Sequence, residues 1–321
     1  MLKGVFTQLA QNDALGGIIT GNGLGRELVG RVVGGQTAAE AVQVAADLAG
    51  QGFLVSLERA SANLGAEIAT ASGEDVEASV QRVRADLWEC LAGLQDAGLA
   101  VLGELTIYPG PFGALPSARW PSGHSQQEGE LALVDLARAA QQARIGIVLG
   151  TGPDDTVTGT MSLAARLADQ GLPVSITVAA ALRRSQSDVQ AAKGPVRIVK
   201  GGHDTGPLER FTQPIEVDKS FIRCVKQALR SPDRVCLATH DPRLVEIGQA
   251  LALRARRTPG DLEFGMYLGR ATGLQRELRD AGQAVRICIP FGPDWFARLV
   301  GGLAERPSGL VPALRSLLPG S

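Results

Sequence analysis

Histidine and cysteine are scarce in this sequence, with three of one and four of the other in 321 residues. His124, His203 and His240 are far apart, so a metal site built from several histidines is not expected. Cys90, Cys224, Cys236 and Cys288 show no CxxC or Cys/His spacing. They read as reduced, packed thiols in a cytoplasmic protein rather than as a disulfide framework. Net charge is also missing: 32 Lys and Arg against 33 Asp and Glu leave −1. Such a balance gives no electrostatic footprint for nucleic acid, and no basic run supplies one. Apolar stretches stay well short of the roughly 20 residues that cross a bilayer, so no transmembrane segment is expected. The start, MLKGVFTQLAQNDALGG, has no continuous apolar segment or small-residue cleavage site and reads as mature protein.

What the chain does have is apolar material, 45% of its residues, enough for one large barrel or two small domains. Eight short apolar runs recur: 53–57, 100–105, 145–149, 174–178, 196–200, 235–238, 262–266 and 285–289. Each is four to six residues and mostly apolar, as strands buried on both faces of a parallel sheet must be. Amphipathic stretches separate them. Residues 74–97 repeat apolar positions at three and four, with Asp75 and Glu77 in the first turn and Gly98 past the last. Asp241-Pro242 reads as an N-cap followed by proline at the first helical position, and 219–230 and 270–281 have the same period.

Eight strand–helix units predict an α/β chain closed into a single (βα)₈ TIM-type barrel. No G-x-G-x-x-G follows the first strand, which argues against a Rossmann domain. Residues 1–50 are expected as an N-terminal helical segment packed on the barrel, 51–321 as the barrel itself, and 309–318 as a closing helix. The long Pro/Gly-rich stretch 108–129 falls on a βα loop, on the face where barrels build their sites.

The C-terminal strand ends then nominate site residues: Glu58, Glu104, Gly150-Thr151-Gly152, Ala179, Arg197, Lys200, Thr239-His240, Gly265 and Cys288. A charge in a barrel mouth is costly unless paired or used. Arg197 and Lys200 share one strand, and Gly201-Gly202 after them would let a flat ligand approach the backbone, an anion or cofactor edge. A salt-bridge role for the two cations is the alternative. Thr239-His240 places a hydroxyl and an imidazole at a helix start, suited to phosphate oxygens or, more simply, to capping. Gly301-Gly302 interrupts a helical pattern at about 1 kcal/mol each relative to alanine, a mark of an altered site.

The motifs VRIVKGG, VDKSF, LATHDPRLVEI, LEFGMYLG and VRICIPFGPDWFARLVGGLAERP, in this order, resemble the C-terminal half of monofunctional bacterial proline dehydrogenases. The likeness extends to LGRELVGRVVGGQTAAEAVQVAADLAGQGF and GELT, about residues 20–318. It implies a barrel carrying FAD that takes a hydride from a carbon beside nitrogen and passes electrons on, commonly to a quinone. By the resemblance, Arg197 falls near the flavin N5. Lys200, Gly201, Thr239, His240 and Glu305 fall on cofactor-binding positions. Ala179 and Gly265 stand where two flavin-contacting glutamines are usual.

On the substrate side the resemblance implies a rebuilt pocket. Two carboxylate-binding arginines become Gly301 and Gly302, and a lysine becomes Glu104. Their supporting acids become Ala62 and Gly150, and aromatic walls become Cys288, Arg298 and His203. Losing acids and arginines together avoids leaving buried charges unpaired. The expectation is a flavoenzyme acting on a C–N bond, less readily an N–N bond, of a small molecule other than proline. Glu104 would hold a cationic nitrogen, with Arg298 as a substitute anion contact. The other reading is a flavin-free barrel, a lyase, hydrolase or binding protein, using Glu104, His203 or Asp204 as acid–base groups or, more weakly, Cys288 as nucleophile. Glu104 paired with Lys200 or Arg197, and His203 capping a loop, are the structural alternatives.

Overall fold

The computed structural model describes residues 30–60, 73–115, 125–150, 154–172, 174–201 and 209–293. The expected helix at 309–318 and residues 116–124 of the 108–129 loop lie outside them. Eight parallel strands close on themselves in chain order. Helix α1 (Ala38–Gly50) precedes β1 (Leu54–Arg59), and α2 (Gly73–Asp96) leads to β2 (Gly103–Ile107). Then follow α3 (Gln126–Ala143), β3 (Gly146–Leu149), α4 (Asp154–Asp169), β4 (Ser175–Ala179), α5 (Ser185–Ala191) and β5 (Val196–Val199). The chain continues through α6 (Pro214–Ala228), β6 (Val235–Ala238), α7 (Pro242–Arg254), β7 (Leu262–Tyr267), α8 (Thr272–Asp280) and β8 (Ala284–Phe291).

All eight expected strands are present, but β2 starts at Gly103 rather than at residue 100. Helix α2 ends in a turn through Gly98 at φ 69°, and Val101 sits at φ 70°, so neither can be in a strand. This offset matters below, because it moves Glu104 from a strand end to the second position of its strand. Helix α6 starts five residues before the apolar period shows it, at Pro214, whose missing N–H is harmless in the first turn. Asp241 caps α7 as its sequence indicates, its carboxylate accepting from the Arg243 N–H at 3.1 Å.

Strand side chains alternate between two environments. Outward positions such as Leu57, Leu105, Ile107, Ile198 and Phe264 are fully buried under the helices. Each such side chain contributes on the order of 1.5–3 kcal/mol by leaving water. Inward positions differ in kind: Ser56, Glu58, Glu104, Thr106, Arg197, Glu263 and Arg286 are polar or charged and equally buried. Helix α1 opens with a capping box between Thr37 and Glu40 and packs beside β8, where the Gly34 N–H donates to the Pro290 carbonyl at 2.8 Å.

Candidate active site in the barrel mouth

The barrel interior is filled in layers. Lowest lies an ionic quartet of two arginines and two glutamates, from β2, β7, β8 and the residue before β6. Arg286 on β8 grips Glu263 on β7 through two bonds of 2.7 and 2.8 Å, and its remaining donors go to the Val55 and Leu102 carbonyls. Arg234, just before β6, binds Glu263 at 2.5 Å. Burial pushes Glu263 upward, but the two guanidiniums outweigh it and hold its carboxyl well below the usual carboxylate range. Glu104 pairs with Arg197 from across the barrel and lies 3.5 Å from both Arg234 and Arg286.

Arg197 reaches into the next layer. Its guanidinium donates to Thr106 Oγ1 at 3.0 Å and Ser56 Oγ at 3.2 Å, while those hydroxyls lie 3.1 Å apart. The side chain is 5% exposed, and its Nε–H has no hydrogen-bond partner among the described residues. A cavity of about 10 Å³ between Glu104, Arg197, Ser175, Arg234 and Cys236 has room for no more than a water.

Glu104 is therefore not at the mouth, as the expected strand end had placed it. The later start of β2 drops it one layer, and three arginines surround it. Of its two expected structural partners, Arg197 is the one it meets. Glu263 and Arg286 were missed by the sequence reading, although a charge inside LEFGM and VRICI was the available signal.

Over the opposite half of the mouth, β1, β2 and β7 bring Glu58, Tyr108 and Tyr267 together. The Tyr108 hydroxyl donates to Glu58 Oε1 at 2.6 Å, and the Tyr267 hydroxyl lies 3.4 Å from Oε2. Burial, with smaller contributions from Tyr267 and Cys288, pushes the Tyr108 phenol well up, so it stays protonated and donates. Neither tyrosine was nominated from sequence, because their partners come from strands far apart in the chain.

The expected cofactor residues line the rim of β5 and β6. Lys200 follows the end of β5 and is held by Asp218 at 2.6 Å and Asp241 at 3.5 Å. Gly201 is half-buried beside it. Thr239 is buried, its hydroxyl accepting from the Asp241 N–H at 3.2 Å. His240 accepts the Tyr267 N–H on Nε2 at 3.0 Å and stacks on that ring. A neutral His240 so bonded keeps its proton on Nδ1. Ala62, Thr151, Gly152, Gly202, His203 and Asp204 lie outside the described residues, as do Arg298, Gly301, Gly302 and Glu305.

Two of the expected positions have no room for a side chain. A Cβ on Gly150 would lie 2.5 Å from the Tyr108 ring, and one on Gly265 would lie 2.9 Å from Cys236 Sγ. Ala179 packs against Val157 and Leu182. By contrast Thr177, Val199 and Ala238, inward positions on β4, β5 and β6, are only half-buried. Thr177 pairs in register with Arg197, and Val199 and Ala238 lie one inward step above it.

A profile of the proline dehydrogenase family matches residues 206–296. The chain is a relative of the proline dehydrogenases. It is 26% identical over 195 residues to proline dehydrogenase 1 of Bacillus subtilis subsp. natto, covering 59% of this chain and 65% of that one. It is 29% identical over 125 residues to the proline dehydrogenase of Deinococcus radiodurans, covering 39% of this chain and 40% of the other. The chain thus spans less than two thirds of each of these relatives. Its fold matches that of proline utilization A from Bdellovibrio bacteriovorus inactivated by N-propargylglycine, with TM-score 0.73 and 16% identity over 91% of this chain and 35% of that one. Proline utilization A with proline bound in remote sites gives TM-score 0.67 at 18% identity, over 92% and 33%.

Among the described residues, no group of three His, Cys, Asp or Glu side chains is placed to hold a metal ion. No helix among them is long and apolar enough to cross a membrane.

Proposed function

We propose that this chain is an FAD-dependent oxidoreductase that oxidises a C–N bond, less readily an N–N bond, of a small molecule other than proline. The observation that carries the reading is Arg197. It is a buried guanidinium whose Nε–H has no hydrogen-bond partner among the described residues, below the half-buried Val199 and Ala238. An orphaned buried donor of this kind is costly and is commonly matched by a bound group. The residues present thus fit a flat ring, which Arg197 would hold from below and Thr177, Val199 and Ala238 would floor. Lys200, Gly201, Thr239 and His240 would line its edge, with Glu305 a further contact by resemblance. Lys200 shares its charge with Asp218 and Asp241, so it offers an anion less than a free lysine would.

FAD bound there would take up the hydride and supply the redox chemistry. The protein's own part is to place the substrate nitrogen and keep water from the reacting carbon. His203 and Arg298 belong to the substrate side of this proposal. Glu104 acts on it indirectly, through Arg197. The location in this reading is cytoplasmic.

The test is the visible spectrum of the purified protein before and after adding FAD, followed by anaerobic mixing with amines, hydrazines and proline. Flavin bands near 375 and 450 nm (about those positions) that an amine bleaches and proline does not are the expected result. A protein that takes up no FAD overturns the flavin reading, and bleaching by proline overturns the altered specificity.

A further inference from the structure

We propose that Glu104 is a positioning residue that fixes Arg197 across the barrel and offsets its charge, thereby lowering the reduction potential of the flavin that Arg197 faces. The inference rests on the flavin reading above. It begins with where the guanidinium is tied. Arg197 stands on β5, yet its bonded donors go to Ser56, Thr106 and Glu104 on β1 and β2, on the far side of the barrel. An arginine cannot adjust by losing its proton, so its partners alone set its position and its effective charge.

Of the three partners, two are neutral hydroxyls. Glu104 is the one carboxylate within ion-pair distance of Arg197 among the described residues. Glu104 also forms ion pairs with Arg234 and Arg286, but at 3.5 Å, whereas Glu263 holds those two arginines at 2.5 and 2.7 Å. Within the network, Glu263 is thus the closer partner of Arg234 and Arg286, and Glu104 that of Arg197. A lysine at position 104 could not accept from Arg197 and would repel it.

The consequence for a bound ring follows from sign. Reduction adds electron density, which a nearby cation favours and a nearby anion disfavours. Arg197 keeps its Nε–H unpartnered among the described residues, but Glu104 cancels much of the field it would exert. The flavin here is a weaker electron sink than one beside an isolated arginine.

The decisive variant is Glu104→Gln, which keeps shape and acceptor but removes charge, measured in the FAD-loaded protein by equilibration with redox dyes. We expect the oxidised-to-reduced ratio at a fixed solution potential to fall at least tenfold, about 30 mV more positive for a two-electron couple. In an Arg197→Gln background the same change should shift the potential by clearly less, because the positioning of the guanidinium is lost and only the direct field of Glu104 remains. An unmoved potential, or a shift just as large without Arg197, overturns the inference. Glu104→Asp, which keeps the charge but shortens the reach, serves if the glutamine variant does not fold. A smaller shift of the same sign is then expected, and none overturns the inference. A wild-type protein that binds no flavin overturns the underlying reading and the potential-setting role together. In that case urea unfolding of the apoprotein still reports on positioning. The Glu104→Gln/Arg197→Gln pair should be more stable than Glu104→Gln alone, and the reverse order overturns the anchoring claim.

Discussion

Arg286 and Glu263 face each other from adjacent strands inside the barrel, joined by two parallel bonds of 2.7 and 2.8 Å at positions almost wholly shielded from water. Planar bidentate pairing is the strong form of such a contact. Breaking it from one side strands the other charge. Arg286→Met should therefore cost about 3–5 kcal/mol, while Arg286→Met with Glu263→Leu should recover most of the loss. Urea unfolding of the three proteins decides it. A double variant no better than the single one contradicts this account.

The same pair sets an acid limit. Glu263 is lowered from 4.5 to about 2, burial opposing and Arg286 and Arg234 driving the shift. A carboxyl depressed on folding adds stability that is fully present above its unfolded value. That stability is lost as pH falls from about 4.5 towards 2. The shift corresponds to about 3 kcal/mol as an order of magnitude. Chemical denaturation between pH 6 and 2.5 (roughly the window of that loss) should show it, and Glu263→Gln should flatten the slope there.

Gly265 and Cys236 compete for one space. A Cβ at 265 comes within 2.9 Å of the sulfur, so Gly265→Gln should destabilise by about 1–3 kcal/mol through overpacking. Combining it with Cys236→Ala should relieve the clash. In the flavin reading, the double variant should also bind FAD more tightly than wild type in a calorimetric titration, because it restores an amide at the ring. Unchanged or weaker binding would argue that the site no longer accepts that contact.

Tyr108→Phe removes the 2.6 Å bond to Glu58 and leaves the buried carboxylate with less support. A hydrogen bond to a charged group contributes about 1.5–3 kcal/mol, and a loss of that size is expected in thermal or urea unfolding. Glu58→Gln should cost less in the Tyr108→Phe background than alone, since the two changes share one contact.

Much of the fold was legible because barrel strands advertise themselves: short apolar runs, shielded on both faces, at regular intervals. The boundary of β2 was not, since Ala100, Val101 and Leu102 are as apolar as a strand and only their turn geometry excludes them. That three-residue error carried Glu104 from an expected mouth position into the ionic layer.

Arg197, Lys200, Thr239 and His240 could be nominated from their order along the chain, because local spacing fixes which strand end each one occupies. The cap at Asp241 is equally local, needing only the next two residues. Which charge meets which is decided only by closure of the barrel. Arg197 finds Glu104 and Ser56 at sequence separations of 93 and 141 residues, and Tyr267 reaches Glu58 over 209. Alternation within a strand tells which side chains point inward, but the shear between strands sets the height at which they meet. Local pattern along the chain sets the eight units and the chemistry available to them. The tertiary structure decided that Glu104 serves an arginine and that Glu58 faces the mouth beside two tyrosines.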